Sequence, residues 1–450
     1  MLEKNIHVII LAAGKGTRMH SNYPKVLHIL GDKPILQHVV DLAKSIHSKN
    51  IYLIYGSQYK LFKSIIIDPN LIWIQQKKIL GTGNAIHQLT SIMQDDENYL
   101  VLYGDMPLIS KKSINKLILS KKKSSISLLT TQLENSNDFG KIIRKNGKIT
   151  QIIEFHDATK EQLKISEINS GIFITTGKNL KNWTKKIKNK NKKREYYITD
   201  IIQIAYKNKN IINSVSAIHK DEIKGINNKL QLSIAEKIYQ QKKIKNLLLS
   251  GVTLHNPENF NIRGTLKAGK NIEIDTGVIL EGKVILGKFV KIGPGCIIKN
   301  STIGNNCYIK AYTIIEETII KNNCVIGPFS HLRNGTILNS YTQIGNFVEI
   351  KETLIDCKSK AKHLSYLGNS KIGKQVNIGA GTIFCNYDGK KKSKTIIEDN
   401  VFIGSHCQLI APIKISKNTI IAAGTTVIKN VDEPSLVYNK KKEIHKKYNS

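Results

Sequence analysis

The sequence contains little cysteine, and all of it lies in the second half of the chain. The six cysteines are Cys296, Cys307, Cys324, Cys357, Cys385 and Cys407. None belongs to a CxxC pair or to a His/Cys cluster with zinc spacing. A chain of 450 residues can bury a sizeable core without disulfides. We therefore expect free thiols, buried as small apolar side chains, in a cytoplasmic protein.

Long apolar runs and acidic residues are also scarce. No apolar stretch reaches about 18 residues, and the start of the chain lacks a signal-peptide pattern, so we expect no membrane insertion. The 69 Lys+Arg outnumber the 34 Asp+Glu, for a net charge of +35. Such a charge attracts nucleic acid, which is one alternative function. The lysines are scattered among Ile and Asn rather than gathered in a basic arm, so we expect no nucleic-acid partner.

Residues 1 to about 225 alternate short apolar runs with helical patterns. The strand-like runs cover residues 7–12, 51–56, 99–105, 125–130 and 171–175. A helical pattern at 35–46 lies between the first two runs. Alternation of this kind predicts an α/β, Rossmann-like domain with a parallel sheet that is covered on both faces. The basic segment 188–195 is predicted to be a solvated loop.

A single helical pattern covers residues 228–250 and ends at Gly251. We interpret it as a connector between two domains. The predicted division is residues 1–229, a helical linker at 230–250, and residues 251–450.

The second half shows a period of six residues. Aliphatic residues recur at this spacing at Ile326, Leu332, Leu338, Ile344 and Ile350, and again at Ile403, Leu409, Ile415, Ile421 and Val427. Glycine often follows the aliphatic residue. This is the hexapeptide pattern of a parallel β-helix, in which the aliphatic side chains point into a narrow core.

The hexapeptide pattern is interrupted at 356–366 and again at 385–395. Interruptions of a regular solenoid predict protruding loops, where functional residues are common. The basic tail from residue 434 is predicted to be mobile.

The first predicted strand runs into LAAGKGTRM (11–19), followed by YPKVL (23–27). Gly14 and Gly16 let backbone N–H groups approach phosphate oxygens, and Arg18 and Lys25 add positive charge. The run matches neither GxGxxG nor a P-loop. The combination of two glycines, Thr-Arg and Pro-Lys resembles the signature of sugar-phosphate nucleotidylyltransferases.

Two further pieces agree with nucleotide chemistry. Asp105 follows an apolar strand in YGDMPL, where a carboxylate can hold Mg²⁺, although Asp in this place is more often a helix N-cap. Gln76 and the turn LGTGNA (80–85) can read the donor and acceptor edge of a base.

Over nearly all of residues 1–430, the sequence resembles the bacterial family of bifunctional N-acetylglucosamine-1-phosphate uridylyltransferases and glucosamine-1-phosphate N-acetyltransferases. The resemblance implies synthesis of UDP-N-acetylglucosamine, a precursor for peptidoglycan and lipopolysaccharide, from UTP and N-acetylglucosamine 1-phosphate. It implies that Asp105 and Asn227 hold Mg²⁺ and that Arg18 and Lys25 neutralise the triphosphate. The substrate-binding residues it implies are Leu11, Ala12, Ala13, Gly14, Lys25, Gln76, Gly81, Thr82, Tyr103, Gly104, Asp105, Gly140, Glu154, Asn169 and Asn227.

For the second half, the resemblance implies a left-handed β-helix that transfers an acetyl group from acetyl-CoA to glucosamine 1-phosphate, with His363 as general base. It also implies a homotrimer with sites between subunits. The sugar-phosphate residues it implies are Arg333, Lys351, Tyr366 and Asn377, and the acetyl-CoA residues are Ala380, Asn386, Tyr387, Ser405, Ala423 and Lys440.

The sequence departs from the family pattern at four positions. Lys440 stands where the family usually has Arg, and Asn84 stands where we expect His. Phe139 stands where Tyr is common in the family, and Lys362 stands where Gly is common. Lys440 cannot form the bidentate hydrogen bonds of Arg, and Lys362 adds a cation beside His363.

The remaining alternative function is that of a nucleotidylyltransferase whose β-helix serves only oligomerisation.

Overall fold

The computed structural model describes residues 6–14, 16–134, 138–440 and 443–446. The chain divides into two compact units, residues 1–239 and 240–450, and each unit has its own apolar core. No helix in the described part of the chain combines the length and the apolar character needed to cross a membrane.

The first unit is built on a nine-stranded sheet. Its strands are Ile6–Leu11 (β1), Ile51–Tyr55 (β4), Leu71–Gln75 (β5), Asn98–Tyr103 (β6), Ile126–Gln132 (β7), Lys141–Lys145 (β8), Lys148–Ile153 (β9), Glu167–Thr176 (β10) and Ile212–Ser216 (β11). A small separate ribbon pairs Ile29–Leu30 (β2) with Lys33–Pro34 (β3).

Helices connect the strands of the first unit. The α-helices are Ile35–Ser45 (α1), Tyr59–Ile65 (α2), Thr82–His87 (α3), Lys111–Ser120 (α4), Lys160–Leu163 (α5), Gly177–Thr184 (α6) and Asp200–Lys207 (α7). Short 3₁₀ helices cover Thr17–Met19, Lys25–Leu27, Lys121–Lys123, Phe155–Asp157 and Lys220–Ile223. Buried aliphatic side chains form separate clusters in this unit, as expected for a sheet that is covered on both faces.

The five predicted strands and the first predicted helix are present, but the expectation of a purely parallel sheet is wrong. The main strand order is β11-β7-β10-β6-β1-β4-β5. β10 runs antiparallel to its neighbours β6 and β7 in this order, whereas β1 is parallel to β4 and β6. Apolar runs identify buried strands but do not show their direction. A strand that is buried on both faces has the same apolar sequence pattern whether it is parallel or antiparallel to its neighbours.

The direction of β10 positions the site. Because β10 is antiparallel to β6, its early residues lie near the carboxyl end of β6, at the edge where β1 also ends. Asn169, near the start of β10, therefore lies on the same edge as Leu11 and Tyr103, which are paired in register.

The helical pattern predicted at 228–250 is a helix over Lys229–Leu249 (α8). The division between the two compact units falls inside this helix, between the predicted domain limits of 229 and 250.

The second unit consists of short parallel strands stacked in coils. They are Thr253–Leu254 (β12), Asn261–Ala268 (β13), Glu273–Ile274 (β14), Ile279–Leu286 (β15), Lys291–Ile292 (β16), Ile297–Lys299 (β17), Thr302–Ile303 (β18), Tyr308–Ile309 (β19), Ile314–Glu316 (β20), Ile319–Ile320 (β21), Val325–Ile326 (β22), His331–Leu332 (β23), Ile337–Leu338 (β24), Gln343–Asn346 (β25), Glu349–Ile355 (β26), Lys360–His363 (β27), Tyr366–Ile372 (β28), Asn377–Ile378 (β29), Ile383–Cys385 (β30), Thr395–Ile397 (β31), Phe402–Ile403 (β32), Gln408–Ile410 (β33), Ile413–Ile415 (β34), Ile420–Ile421 (β35), Thr426–Val427 (β36) and Leu436–Val437 (β37). One 3₁₀ turn, Pro257–Asn259, lies near its start.

Each coil returns to the same position after three hexapeptides, which confirms the predicted left-handed β-helix. Ile309 pairs with Ile326, and Ile326 with Ile344, at spacings of 17 and 18 residues. These aliphatic side chains are at most 2% exposed and line one continuous core. All six cysteines are free thiols, and Cys296, Cys307, Cys324 and Cys407 are buried with them.

Of the two predicted interruptions, only the second is a protruding loop. The first prediction, at 356–366, is wrong: Ile344 pairs with Ala361 and Ala361 with Ile378, so the coil continues unbroken. The pattern looked interrupted because the small Ala361 occupies a core position, where it is 1% exposed. At the second site, Ile378 pairs with Ile403, and the 25-residue spacing accommodates an added loop around 386–394.

The prediction of a mobile tail from residue 434 is wrong for its first residues. Leu436–Val437 pairs in parallel with Ile420–Ile421 and extends the stack beyond residue 434. Residues 441–442 and 447–450 of the predicted tail lie outside the described residues.

The two residues of β21 provide a test of the β-helix core. Ile320 is 1% exposed, whereas its neighbour Ile319 faces outward and is 43% exposed. We expect Ile320→Ala to lower the free energy of unfolding by about 2–5 kcal/mol, because it leaves a cavity in a close-packed core. Ile319→Ala should change it by only about 0.5 kcal/mol. Guanidinium unfolding followed by circular dichroism measures both, and equal losses would contradict the inward position of Ile320.

Candidate active sites

The glycine-rich turn after β1 lies beside the turn after β6. Leu11 and Tyr103 are register partners, and the backbone N–H of Gly104 donates to the carbonyl of Leu11 at 2.9 Å. Gly16 has a φ of 65° in the same turn, and a Cβ there would lie 2.6 Å from the Cβ of Lys25. Glycine at position 16 therefore lets Lys25 approach the turn closely.

Lys25 connects this turn to two distant segments. Its Nζ donates to Oδ2 of Asp105 at 2.5 Å and to Oδ1 of Asn227 at 2.8 Å. Asn227 reaches this point because the N–H of its neighbour Ile226 donates to the carbonyl of Asp105 at 2.9 Å. A carboxylate and an amide oxygen thus converge on one positive charge, although they are far apart in sequence.

Two adjoining cavities meet at Tyr103, Asp105 and Asn227. The first, of about 490 Å³, is lined among others by the predicted nucleotide residues Leu11, Ala12, Ala13, Gly14, Arg18, Lys25, Gln76, Gly81 and Thr82. The second, of about 440 Å³, is lined among others by the predicted sugar residues Gly140, Glu154 and Asn169. Gly104 is the one predicted residue of this half outside both linings.

In the first cavity, the side chain of Gln76 is buried and hydrogen-bonded. Its Nε2 donates to the carbonyl of Gly81 and to Oδ1 of Asn84, each at 3.0 Å. Thr82 is held from the opposite side, where its Oγ1 accepts from the N–H of Ile198 at 3.1 Å. The turn around Gly81 is therefore fixed to the segment that follows the basic loop 188–195.

The carboxylate of Glu154 lines the second cavity. Burial raises the pKa of Glu154, whose Oε1 accepts from the hydroxyl of Thr199 at 2.8 Å. Burial and the nearby Glu154 and Asp157 raise the pKa of Asp200 to about 6. Sequence reasoning missed Thr199 and Asp200. The only available signal was Thr-Asp at the start of a helical pattern, which fits an ordinary helix start equally well.

In the β-helix, two predicted cations lie on consecutive coils. The pairing of Leu332 with Ile350 places Arg333 and Lys351 at equivalent positions. Nη1 of Arg333 donates to Oε1 of Glu349 at 2.6 Å. A third cation, Lys392, lies beside Lys351 and lowers the pKa of Lys351. The sequence analysis missed both Glu349 and Lys392, since each looked like an ordinary surface charge.

The predicted residues Tyr366 and Asn386 also meet in the β-helix. Nδ2 of Asn386 donates to Oδ1 of Asn369 at 2.7 Å and approaches the hydroxyl of Tyr366 at 3.5 Å. Tyr387 is exposed in the protruding loop, where its hydroxyl donates to the carbonyl of Gly389 at 2.7 Å. The interruption predicted at 385–395 therefore does carry candidate residues.

His363 lies on a different face of the coil. Ala361, Ile378, Ile403 and Ile421 are successive register partners. The residues two positions further on therefore form a column on the outside of the coil. These are His363, Ala380, Ser405 and Ala423.

The other predicted residues of this half are not in that column. Asn377 begins β29 on the same sheet as His363, whereas Arg333, Lys351 and Tyr366 belong to or adjoin strands of the other sheet. Lys440 is exposed near the end of the described chain. Lys362 is exposed, as is His363 itself.

Residues 8–136 match the MobA-like NTP transferase domain, 262–365 the GMPPB C-terminal domain, and 394–429 the bacterial transferase hexapeptide of six repeats. A solved structure of UDP-glucose pyrophosphorylase complexed with UDP-glucose has a TM-score of 0.43 at 19% identity, covering 52% of this chain and 98% of that one.

Curated relatives match 99% of the chain. The Bifunctional protein GlmU of Buchnera aphidicola subsp. Baizongia pistaciae (strain Bp) is 63% identical over 447 residues, covering 99% of this chain and 100% of that protein. The protein of the same name from Buchnera aphidicola subsp. Acyrthosiphon pisum (strain APS) is 58% identical over 447 residues, covering 99% of this chain and 97% of that protein. Because the similarity includes the β-helix, it disfavours a purely oligomerising role for that unit. The chain therefore belongs to the family of bifunctional GlmU proteins, enzymes that combine uridylyl transfer with acetyl transfer.

Proposed function

We propose that the first unit transfers UMP from UTP to N-acetylglucosamine 1-phosphate and that the second unit first acetylates glucosamine 1-phosphate with acetyl-CoA. The observation that carries the first half is the convergence of Lys25, Asp105 and Asn227 where two cavities adjoin. One cavity can accept a nucleotide and the other a sugar phosphate, so the two phosphates would meet beside these three residues.

In this proposal the first cavity holds UTP. The turn Leu11–Gly14 contacts the nucleotide, and Arg18 and Lys25 neutralise the triphosphate. Gln76, Gly81 and Thr82 read the uracil. Tyr103 and Gly104 adjoin the nucleotide, and Gly140, Glu154 and Asn169 bind the amino sugar in the second cavity.

The oxygens of Asp105 and Asn227 fit Mg²⁺, a hard cation that takes few protein ligands when phosphates complete its shell. In support, the ammonium of Lys25 donates to both oxygens, so each of them already accepts from a positively charged group. No group of three or more His, Cys, Asp or Glu side chains suitable for a metal occurs in the described part of the chain. Bound there, the ion would stabilise negative charge on the transferring phosphoryl group.

The reaction requires no covalent intermediate with the protein. An oxygen of the sugar phosphate attacks the α-phosphorus of UTP, the bond to the bridging oxygen breaks, and pyrophosphate leaves. The protein aligns the two anions and stabilises the charge that develops between them.

For acetyl transfer, we propose that His363 accepts the proton of the sugar amine as the amine attacks the thioester, and returns it to the departing thiolate of CoA. Arg333, Lys351, Tyr366 and Asn377 would hold the sugar phosphate. Ala380, Asn386, Tyr387, Ser405, Ala423 and Lys440 would line the acetyl-CoA site. In support, Ala380, Ser405 and Ala423 continue the column that begins at His363, so an extended cosubstrate could follow it.

We further propose a homotrimer, supported by one corner of the β-helix. Tyr312, Phe329, Phe347 and Leu364 occupy this corner on consecutive coils, and all four are exposed. The first three rings stack, with centroids 5.4 and 5.5 Å apart. An exposed apolar column of this length is typical of a protein interface, and Leu364 directly follows His363. The acetyl-transfer site would then lie between subunits.

Because UTP and acetyl-CoA are the cosubstrates in this proposal, we propose a cytoplasmic location for the protein.

We expect Arg18→Ala and Lys25→Ala each to lower the rate of uridylyl transfer by about 100-fold or more, because charge stabilisation on the phosphates is lost. Pyrophosphate release from UTP and N-acetylglucosamine 1-phosphate measures the rate. Lys60→Ala, on exposed α2, is the matched control for loss of a positive charge and should keep full activity. Unaltered turnover in either site variant would refute its assigned role.

We expect His363→Ala to reduce CoA release from acetyl-CoA and glucosamine 1-phosphate by at least about 100-fold, since the attacking amine loses its base. A thiol reagent measures the free CoA. His255→Ala serves as a control for loss of an exposed imidazole in the same unit. No CoA release from the unmodified, folded protein would refute acetyl transfer itself.

We expect Phe329→Glu to convert the trimer to smaller species, because it places a charge inside the apolar column. Light scattering after size-exclusion chromatography measures the mass. Tyr341→Glu is the matched control, because Tyr341 is equally an exposed aromatic residue but shares its corner with Asn306, Asn323 and Lys358. A trimer that survives Phe329→Glu, or dissociates equally with Tyr341→Glu, would exclude this corner as the interface.

A further inference from the structure

The side-chain amide of Gln76 is enclosed at the wall of the first cavity, where Gln76 is 3% exposed. The nitrogen Nε2 has two hydrogens and two hydrogen-bond partners. One partner is the carbonyl of Gly81 at 3.0 Å, and the other is Oδ1 of Asn84 at 3.0 Å. Both hydrogens are therefore used within the protein.

The chemistry of the partners sets the orientation of both amides. The carbonyl of Gly81 can only accept, so the atom of Gln76 that faces it must be the nitrogen. The atom of Asn84 that faces the same nitrogen must then be its oxygen. With both N–H groups engaged, the atom that Gln76 can offer to the cavity is Oε1, which only accepts hydrogen bonds.

We infer that Asn84 is a positioning residue that determines base specificity. Because Asn84 accepts a hydrogen bond from the second N–H of Gln76, Gln76 presents only the hydrogen-bond acceptor Oε1 to the cavity and no donor. This inference rests on the proposed binding of UTP in the first cavity. Uracil carries an N–H at N3 and can donate to Oε1 of Gln76. Cytosine has an acceptor at N3, so two acceptors would face each other.

Without the oxygen of Asn84, one N–H of a buried amide loses its partner. The amide can then turn this N–H toward the cavity, where it matches the N3 acceptor of cytosine. Discrimination between the two bases should therefore weaken, while the residues that hold the phosphates remain in place.

The test compares kcat/KM for UTP and CTP in the full-length protein, with N-acetylglucosamine 1-phosphate as acceptor. In Asn84→Leu and Asn84→Ala, we expect the ratio of kcat/KM for UTP to kcat/KM for CTP to fall by about tenfold. We also expect a higher KM for UTP. Asn84→Asp retains an acceptor oxygen at the same place and should keep the ratio within about twofold of the unmodified protein. Both triphosphates carry the same charge and the ratio does not depend on the amount of active enzyme, so neither added charge nor partial unfolding alters it.

Gln88→Leu is the matched control. Gln88 lies at the end of α3, and its Nε2 donates to the backbone carbonyl of Asn84 at 3.1 Å without contributing to the Gln76 network. We expect this variant to leave the ratio unchanged. A ratio that is unchanged in Asn84→Leu and Asn84→Ala, or that falls equally in Gln88→Leu, would overturn the inference and leave uridylyl transfer standing. No product from UTP with the unmodified protein would instead overturn the proposed function, and the inference with it.

Discussion

The ammonium group of Lys25 satisfies two oxygen acceptors that belong to distant parts of the chain. Asp105 is 80 residues away and Asn227 is 202 residues away. The side chains of Lys25 and Asp105 are only 13% and 17% exposed, so either charge would be costly without the other. This pairing joins the segment after β1, the turn after β6 and the segment before α8, at the place where the two cavities adjoin. Apart from Gly104, the residues predicted to bind the nucleotide line one of these cavities, and those predicted to bind the sugar line the other.

A different constraint governs the second unit. Each coil must return to the same place, in most cases after 17 or 18 residues, because its strands pair in register with those of the previous coil. Any position of the repeat therefore becomes a column along the helix. Inward positions build the aliphatic core, and outward positions build surfaces. The column of His363, Ala380, Ser405 and Ala423 and the apolar corner of Tyr312, Phe329, Phe347 and Leu364 both follow from this geometry. The loop at 386–394 fits because it leaves the coil and returns without disturbing the register.

The two candidate sites differ in how one chain encloses them. In the first unit, Gln76 and Asn169 are buried, and substrate would enter cavities of about 490 and 440 Å³. In the second unit, His363 and Tyr387 lie on the outside of the coil. A narrow β-helix fills its interior with aliphatic side chains, so it has no room for a substrate inside. A site on such a surface can gain enclosure from another chain, which agrees with the proposed trimer.

The sequence by itself determined the elements and the chemistry with short-range signatures. Apolar runs marked the main strands of the first unit, and the period of six marked the β-helix. The glycine turn with Arg18 and Lys25 marked one wall of the first cavity. Only the tertiary structure decided the antiparallel direction of β10, the unbroken coil at Ala361 and the pairing of Lys25 with Asn227. It also revealed Thr199, Glu349 and Lys392 beside predicted residues. The physical reason is that periodicity reports burial along a segment, whereas strand direction, column formation and ion pairing depend on which distant segments the fold brings into contact.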